Sequence, residues 1–125
     1  MIAADTSTWM AFLERETAPD TELLDQALRD RRVLMVPVVL TELLSDPKLS
    51  AEVATTLCDL PPIEIGPEYW RRVGTLRAKV LAKRRRARLG DALIAQCCID
   101  RGVSLLTQDR DFLVFLEAAG LKLVA

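Results

Sequence analysis

The stretch Leu89-Gly-Asp-Ala-Leu-Ile-Ala-Gln-Cys-Cys-Ile99 decides how this chain is interpreted. It is apolar and long enough to form a buried helix, and it carries one acid, Asp91, near its start. An isolated carboxylate is costly to bury without a partner. The same helix offers none, because Gln96 is uncharged and Asp100-Arg101 lies more than two turns away. Asp91 is therefore interpreted as one wall of an acidic pocket to which other stretches contribute.

The composition is that of an ordinary globular protein, and it restricts the chemistry. The 125 residues predict a single domain over residues 1–125, large enough to bury a core; half are hydrophobic and 28% are charged. The net charge of −1 excludes a uniformly basic nucleic-acid binder but not a local basic patch. Histidine is absent, which excludes imidazole bases, Ser-His triads and His-rich metal sites.

The cysteines and the first residues indicate the compartment. Cys58, Cys97 and Cys98 are an odd number without zinc-site spacing, so they are predicted to be small buried thiols in a reducing environment. No stretch is apolar enough over a sufficient length to span a membrane, and the first residues do not resemble a signal peptide. The predicted location is the cytoplasm.

Short apolar runs alternate with helical patterns along the chain. The predicted strands are Met1–Ala4, Val33–Val36, Ile63–Ile65, Val103–Leu106 and Leu121–Val124. The predicted helices start at Thr6 or Ser7 as the cap, at Asp20 or Thr21, at Pro37, near Ser50, near Glu68, at Leu89 and near Phe112. This alternation predicts an α/β domain of three layers, α/β/α, with a mainly parallel sheet of four to five short strands.

Four acids lie where such a sheet would bring them together. Asp5 and Asp109 directly follow strands, Glu42 lies in the helix after a strand, and Asp91 opens a helix that leads into one. Sites in parallel sheets form beyond the carboxyl ends of the strands. The four acids are therefore expected to meet at one end of the sheet.

Converging carboxylates indicate a hard divalent cation. Like charges raise each other's pKa, and a cation relieves the repulsion. Magnesium and manganese prefer carboxylate oxygen and water, which suits a chain without histidine. Such an ion can lower the pKa of bound water and clamp a phosphate, so a phosphodiester is the natural substrate. Thr6, Ser7 and Thr107 are predicted to orient the carboxylates through hydrogen bonds.

A basic segment immediately precedes Asp91. No acid occurs from Tyr69 to Gly90, whereas nine of the chain's seventeen Lys and Arg residues fall there. An acidic centre repels nucleic acid, so a flanking basic surface is needed to attract the RNA backbone. The residues predicted to contact RNA are Lys83, Arg84, Arg85, Arg86 and Arg88. A solvated helix end is the alternative, because cations are also favoured near a helix C-terminus.

These residues resemble the PIN-domain nucleases, and specifically the VapC-type ribonuclease toxins of bacterial type II toxin–antitoxin systems. The resemblance rests on four fragments in order: Ile2–Ser7, Val36-Pro37 with Thr41–Leu43, Asp91–Ala95, and Leu106–Phe112. It implies a PIN-like fold, RNA cleavage that depends on Mg²⁺ or Mn²⁺, a homodimer, and inhibition by a cognate antitoxin protein. The run Lys83–Arg88 departs from the family, whose members are often less basic there.

The resemblance implies that Asp5, Glu42, Asp91 and Asp109 are the catalytic, metal-holding acids. Asp111 is also close in sequence, so the fourth ligand is either shared with it or is Asp109, which comes first after the strand. Two other functions remain open: a non-catalytic PIN-fold protein-binding module, and a nuclease that acts on structured DNA. Each acid also has an ordinary interpretation, such as a helix cap for Asp5 or a turn residue for Asp109.

Overall fold

The computed structural model describes Met1–Val124, in which seven α-helices surround a small parallel sheet. The helices are α1 (Thr6–Leu13), α2 (Pro19–Arg29), α3 (Pro37–Leu44), α4 (Ala51–Cys58), α5 (Tyr69–Ala82), α6 (Leu89–Arg101) and α7 (Leu113–Ala119). The strands are β1 (Ile2–Ala4) and β2 (Ser104–Leu106), and a short 3-10 helix, Arg110–Phe112, precedes α7. Ala125, which the predicted domain includes, lies outside the described residues.

The sheet is parallel and short. Ile2 pairs with Ser104, and Ala4 pairs with Leu106. Three isolated parallel bridges extend the sheet on both sides: Ile2 with Val33, Met35 with Pro62, and Leu105 with Leu123. The spatial order is therefore the segment at 62, the segment at 33–35, β1, β2 and the segment at 123. The α/β class and the parallel sheet are confirmed.

Three of the five predicted strands are not continuous strands: the first holds two bridge residues, Val33 and Met35, the bridge of the second falls just before it at Pro62, and the third holds one at Leu123. The segments Val33–Val36, Ile63–Ile65 and Leu121–Val124 were expected to be strands. Proline explains part of the difference, because it cannot donate to a ladder and three prolines flank the first two segments, at positions 37, 61 and 62. Met35 still donates its N–H to the Pro61 carbonyl at 2.8 Å, and Ile63 donates to Met35 at 2.9 Å.

Two predicted helix starts are wrong. The cap of α1 is Asp5, not Thr6 or Ser7, because the Asp5 carboxylate accepts the Thr8 N–H at 2.9 Å. Helix α2 begins at Pro19 rather than at Asp20 or Thr21, since the fixed φ of proline suits the first helical position. The chain order of the elements is otherwise as the periodicity predicts.

The core lies on both faces of the sheet and takes in much of α6. Its Ala92, Ala95 and Cys98 are fully buried, and Cys97 is almost so. Burial raises the pKa of the Cys97 thiol to about 11, so this thiol is an apolar packing group at neutral pH. The prediction that Cys58 is buried is wrong, because this residue is exposed. Trp70 of α5 is also exposed. None of the helices within Met1–Val124 is long and apolar enough to cross a membrane.

Candidate metal centre

A pocket of about 240 Å³ lies beyond the carboxyl ends of β1 and β2. Its lining includes all four acids that the sequence singles out. The lining residues are Asp5, Thr6, Ser7, Glu42, Arg88, Gly90, Asp91, Ile94, Asp109 and Phe112. The fold therefore brings together acids that lie more than one hundred residues apart in the chain.

Asp5 is the most constrained of the four acids. It follows β1 directly, is 3% exposed, and accepts the Thr8 N–H as the cap of α1. Ser7 donates its hydroxyl to both carboxylate oxygens, at 3.1 and 3.0 Å. Thr107, which follows β2, donates to Oδ2 at 2.5 Å. Three donors from two elements thus fix the direction in which this carboxylate faces the pocket.

Glu42 reaches the pocket from helix α3. Its side chain is exposed, and Thr6 donates a hydroxyl hydrogen bond to its Oε1 at 2.8 Å. Because Thr6 is the first residue of α1, this bond ties α3 to the start of α1. Thr6, Ser7 and Thr107 therefore contact the carboxylates in the way that the sequence predicts.

Asp91 sits in the first turn of α6 with its charge poorly compensated. Burial, followed by the neighbouring carboxylate of Asp109, raises the pKa of Asp91 from 3.8 to about 6. Arg88 opposes this rise, whereas Asp111 and Asp5 add to it. The repulsion expected between converging carboxylates is thus concentrated at this residue.

Asp109 and Asp111 lie on the turn after β2. The Asp109 N–H donates to the Thr107 hydroxyl, and Asp109 Oδ1 accepts the Asp111 N–H; both bonds are 2.9 Å. Asp111, with which the sequence allows the fourth ligand position to be shared, has one oxygen close to the other acids. Single oxygens of Asp91, Asp109 and Asp111 all lie within 4.8 Å of one another. The spacing Asp-x-Asp was the signal in the sequence for this closer role.

The donor set fits a hard divalent cation. Opposite oxygen ligands of Mg²⁺ are separated by about 4.2 Å, since each lies about 2.1 Å from the ion. The three aspartate oxygens are grouped on this scale before any ion binds. All the candidate ligands are carboxylates, and an ion would also relieve the repulsion that raises the pKa of Asp91.

The predicted RNA-binding residues divide into two groups. Arg88 lines the acidic pocket, whereas Lys83, Arg84, Arg85 and Arg86 are exposed on the turn before it and do not line it. Arg85 forms an ion pair of 3.6 Å with Glu117 on α7. The basic segment Lys83–Arg88 therefore lies beside the acidic pocket, and only its last arginine, Arg88, is part of the pocket lining.

A family model for the PIN domain matches residues 2–117, which is nearly the whole chain. The chain belongs to the PIN-domain family. No curated protein sequence matches it significantly. The sequence motifs that suggested this family are thus confirmed as a whole, and the acidic pocket lies within the matched residues.

Three solved structures share the fold of this PIN domain. VapBC-5 of Mycobacterium tuberculosis, a member of the VapBC family of toxin–antitoxin systems, is 24% identical with a TM-score of 0.68, over 98% of this chain and 96% of the other. FitAcB of Neisseria gonorrhoeae is 14% identical with a TM-score of 0.71, over 100% and 97%. VapBC2 of Rickettsia felis, bound to a promoter DNA fragment, is 23% identical with a TM-score of 0.72, over 99% and 98%.

Proposed function

We propose that this PIN domain is a metal-dependent endoribonuclease and the toxin of a toxin–antitoxin pair. The observation that carries the proposal is the convergence of Asp5, Glu42, Asp91 and Asp109 on one pocket, where burial and then the neighbouring carboxylates raise the pKa of Asp91 to about 6. Carboxylates that converge in this way repel one another, and a bound divalent cation would relieve that repulsion and supply hydrolytic chemistry. Two of the similar structures are VapBC toxin–antitoxin proteins.

Each pocket residue has a defined task in this proposal. Asp91, Asp109 and Asp5 hold one or two Mg²⁺ or Mn²⁺ ions together with Glu42, and Asp111 supports Asp109. When bound, the ion supplies an activated water and neutralises charge on the phosphate. Ser7 and Thr107 keep the Asp5 carboxylate turned into the pocket through the bonds described above, and Thr6 does the same for Glu42.

RNA is the proposed substrate, and structured DNA is the alternative within the same chemistry. The exposed cations Lys83–Arg86 lie next to the pocket, where they offset the repulsion between its acids and a nucleic-acid backbone. The pocket is small, and the fold of Met1–Val124 includes no additional element that would clamp a duplex, which favours a single strand. The predicted cytoplasmic location and the single-domain organisation remain part of this proposal.

The decisive experiment is cleavage of labelled single-stranded RNA with Mg²⁺ or Mn²⁺, and with EDTA. Cleavage should require the metal and should be abolished in Asp91→Asn. The matched control is Asp100→Asn, which removes an acid from the other end of α6 and should keep cleavage within about threefold of wild type, a shift under 1 kcal/mol. Full activity in Asp91→Asn would refute the assignment. Absence of both cleavage and metal binding would favour the non-catalytic module, whereas metal binding without cleavage would indicate a narrow choice of substrate.

A groove on the α1, α2 and α4 face supports an antitoxin partner. One part, of about 740 Å³, has Phe12, Leu13 and Val53 in its lining, together with the acids Glu16, Glu22 and Asp25 and one cation, Arg15. A second part, of about 360 Å³, shares Leu13 and Val53, and its lining includes Lys48 and also Glu42 of the acidic pocket. A lining that combines apolar side chains with more acids than cations fits an amphipathic basic segment, so this is the proposed seat of the antitoxin.

The antitoxin proposal is tested by complex formation in gel filtration with the cognate antitoxin. Leu13→Arg should prevent the complex, because it places a charge in the groove lining. Leu116→Arg is the control, since Leu116 is 42% exposed on α7, outside the groove. Equal binding by both variants would remove the groove from the interface.

The proposed homodimer has a different candidate face, between α5 and α6. Trp70, which is 69% exposed, lies there with Leu81 and Leu89, which are 44% and 57% exposed. Large exposed apolar patches indicate protein contacts. Trp70→Glu should lower the sedimentation coefficient to that of a monomer, whereas Leu113→Glu on α7 should not. A wild-type protein that sediments as a monomer at every concentration would contradict the dimer.

A further inference from the structure

Arg88 is the one cation among the residues that line the acidic pocket. It immediately precedes α6 with an extended backbone (φ −68°, ψ 144°), and its carbonyl accepts the Ala92 N–H at 3.0 Å. The main chain at Arg88 is therefore fixed by the helix, while its side chain is exposed. Its charge acts on Asp91, three residues along, and opposes the carboxylates around it.

Three basic residues near Arg88 have partners of their own. Arg77 donates its Nε–H to the Ala87 carbonyl at 2.8 Å, and Lys79 donates to the Ala118 carbonyl at 2.6 Å. Arg85 pairs with Glu117. Within Met1–Val124, Arg88 forms no ion pair within 4 Å, although four carboxylates share its pocket. A guanidinium beside several acids and bonded to none of them is available to a ligand.

We propose that Arg88 is a catalytic residue that binds the non-bridging oxygens of the scissile phosphate. This inference rests on the proposed function and separates Arg88 from Lys83–Arg86, which attract RNA without touching the reacting group. The guanidinium fork matches two phosphate oxygens, and it remains charged at any pH at which the protein is folded. Its position beside Asp91 places this fork next to the acids that would hold the ion.

The chemistry explains why a cation is needed in an acidic pocket. During hydrolysis a water oxygen forms a bond to phosphorus, and the bond from phosphorus to the leaving ribose oxygen breaks with its electron pair. The proton released by the water is balanced by the proton that the leaving oxygen takes up. Negative charge grows on the non-bridging oxygens in the transition state, and a positioned donor stabilises that charge.

The first test is single-turnover cleavage at saturating RNA. Arg88→Ala should lower the rate by about a hundredfold, the usual effect of losing one donor to a developing charge. Arg88→Lys should retain part of that rate, because it keeps the charge and loses the fork. Arg86→Ala is the comparison, and it should mainly weaken RNA binding. Equal rates for Arg88→Ala and Arg86→Ala at saturation would overturn the proposal.

A second readout does not depend on cleavage. Calorimetry of inorganic phosphate in the presence of Mg²⁺ should show binding to wild type, and Arg88→Ala should weaken it at least tenfold. Arg29→Ala, which removes an exposed arginine of α2, should bind phosphate as wild type does. If wild type fails to cleave any nucleic acid but this difference holds, the proposed function fails and the phosphate site stands. Absence of phosphate binding to wild type, or equal binding by Arg88→Ala, overturns the site.

Discussion

Helix α6 carries an acid near each end, and the surroundings shift the pKa values of the two acids in opposite directions. At the C-terminal end, Asp100 accepts hydrogen bonds from Arg72 at 2.9 and 2.6 Å and from Gln96 at 2.7 Å. Partial burial acts to raise the pKa of Asp100, but these donors outweigh it and hold that pKa below its usual value. At the N-terminal end, Asp91 faces other carboxylates, and its pKa rises to about 6.

The difference shows which acid has its negative charge compensated by other residues of the chain and which acid is available to bind a cation. Asp100 has its counter-charge within the chain and is a structural link between α5 and α6. Asp91 would gain from the favourable dipole of a helix N-terminus, yet burial and, after it, the charges of Asp109, Asp111 and Asp5 outweigh that gain and raise its pKa. An uncompensated cluster held by a rigid helix is a cost to stability that binding of a cation removes.

The largest expected effect comes from the acids that crowd Asp91. Asp109→Asn should reduce cleavage by at least a thousandfold, on the order of 4 kcal/mol in the barrier, because Asp109 lines the pocket. Asp111→Asn should cost about ten- to a hundredfold, about 1.4–3 kcal/mol, because Asp111 has an oxygen near those of Asp91 and Asp109 but is not among the residues that line the pocket. The measurement is metal-dependent RNA cleavage, with circular dichroism to confirm folding.

Asparagine at 109 keeps an oxygen that can accept the Asp111 N–H, so the turn after β2 should survive the substitution. A greater loss in Asp111→Asn than in Asp109→Asn would exchange the two roles. In that case Asp111 rather than Asp109 would be the fourth ligand, and the difference between Asp91 and Asp100 would still hold.

The next effect is on RNA affinity. The triple variant in which Arg84, Arg85 and Arg86 are changed to Ala should bind RNA roughly ten- to a hundredfold more weakly in moderate salt. The slope of log affinity against log salt concentration should become less steep by about 2, because each lost contact with a single strand contributes about 0.7. Fluorescence anisotropy over a salt series measures both quantities. An unchanged slope would mean that these arginines do not contact RNA and are only the solvated end of a helix.

The sequence predicts the contrast at α6 only in part. The apolar run around Asp91 and Gly102 after it are enough to predict the helix, and the positions of Asp5 and Asp109 after strands are enough to predict their meeting. These features are local, or follow from the topology of parallel sheets. The pairing of Asp100 with Arg72 joins residues 28 apart on two helices, and no local pattern encodes it.

Other differences have the same origin in tertiary context. Asp5 serves as both the cap of α1 and a wall of the pocket, so the ordinary and the functional interpretations hold together. Trp70 fits the apolar periodicity of α5, but its side chain faces out of the core. Periodicity reports which positions are apolar, and it does not distinguish a face that meets the core from a face that meets another protein.

A further effect concerns the pH dependence of metal binding. Asp91 must lose its proton to bind an ion, and its pKa is about 6 without one. The apparent affinity for Mg²⁺ should therefore fall about tenfold between pH 7 and pH 5. Calorimetric titration at the two pH values measures this change. Affinity that is constant over this range would mean that Asp91 is not a ligand, or that its neighbours do not crowd it.

The smallest effect is on the stability of the metal-free protein, and the two ends of α6 should change it in opposite directions. Because the folded-state pKa of Asp91 is raised, ionisation of this residue destabilises the fold as the pH rises from about 4 to above 6. Asp91→Asn should therefore raise Tm at pH 7.5 by an amount equivalent to about 1 kcal/mol, a value reduced because the side chain is partly exposed. The gain should vanish near pH 4.

Asp100 should show the reverse, because its folded-state pKa is lowered. The stability that it contributes is present above about pH 4 and is lost in more acidic solution, so Asp100→Asn should lower Tm at pH 7.5. Added Mg²⁺ should raise the Tm of wild type and of Asp100→Asn but not that of Asp91→Asn, since binding to the folded state stabilises it. If both variants moved Tm in the same direction, the two ends of the helix would not differ in the way that their hydrogen bonds and neighbouring charges require.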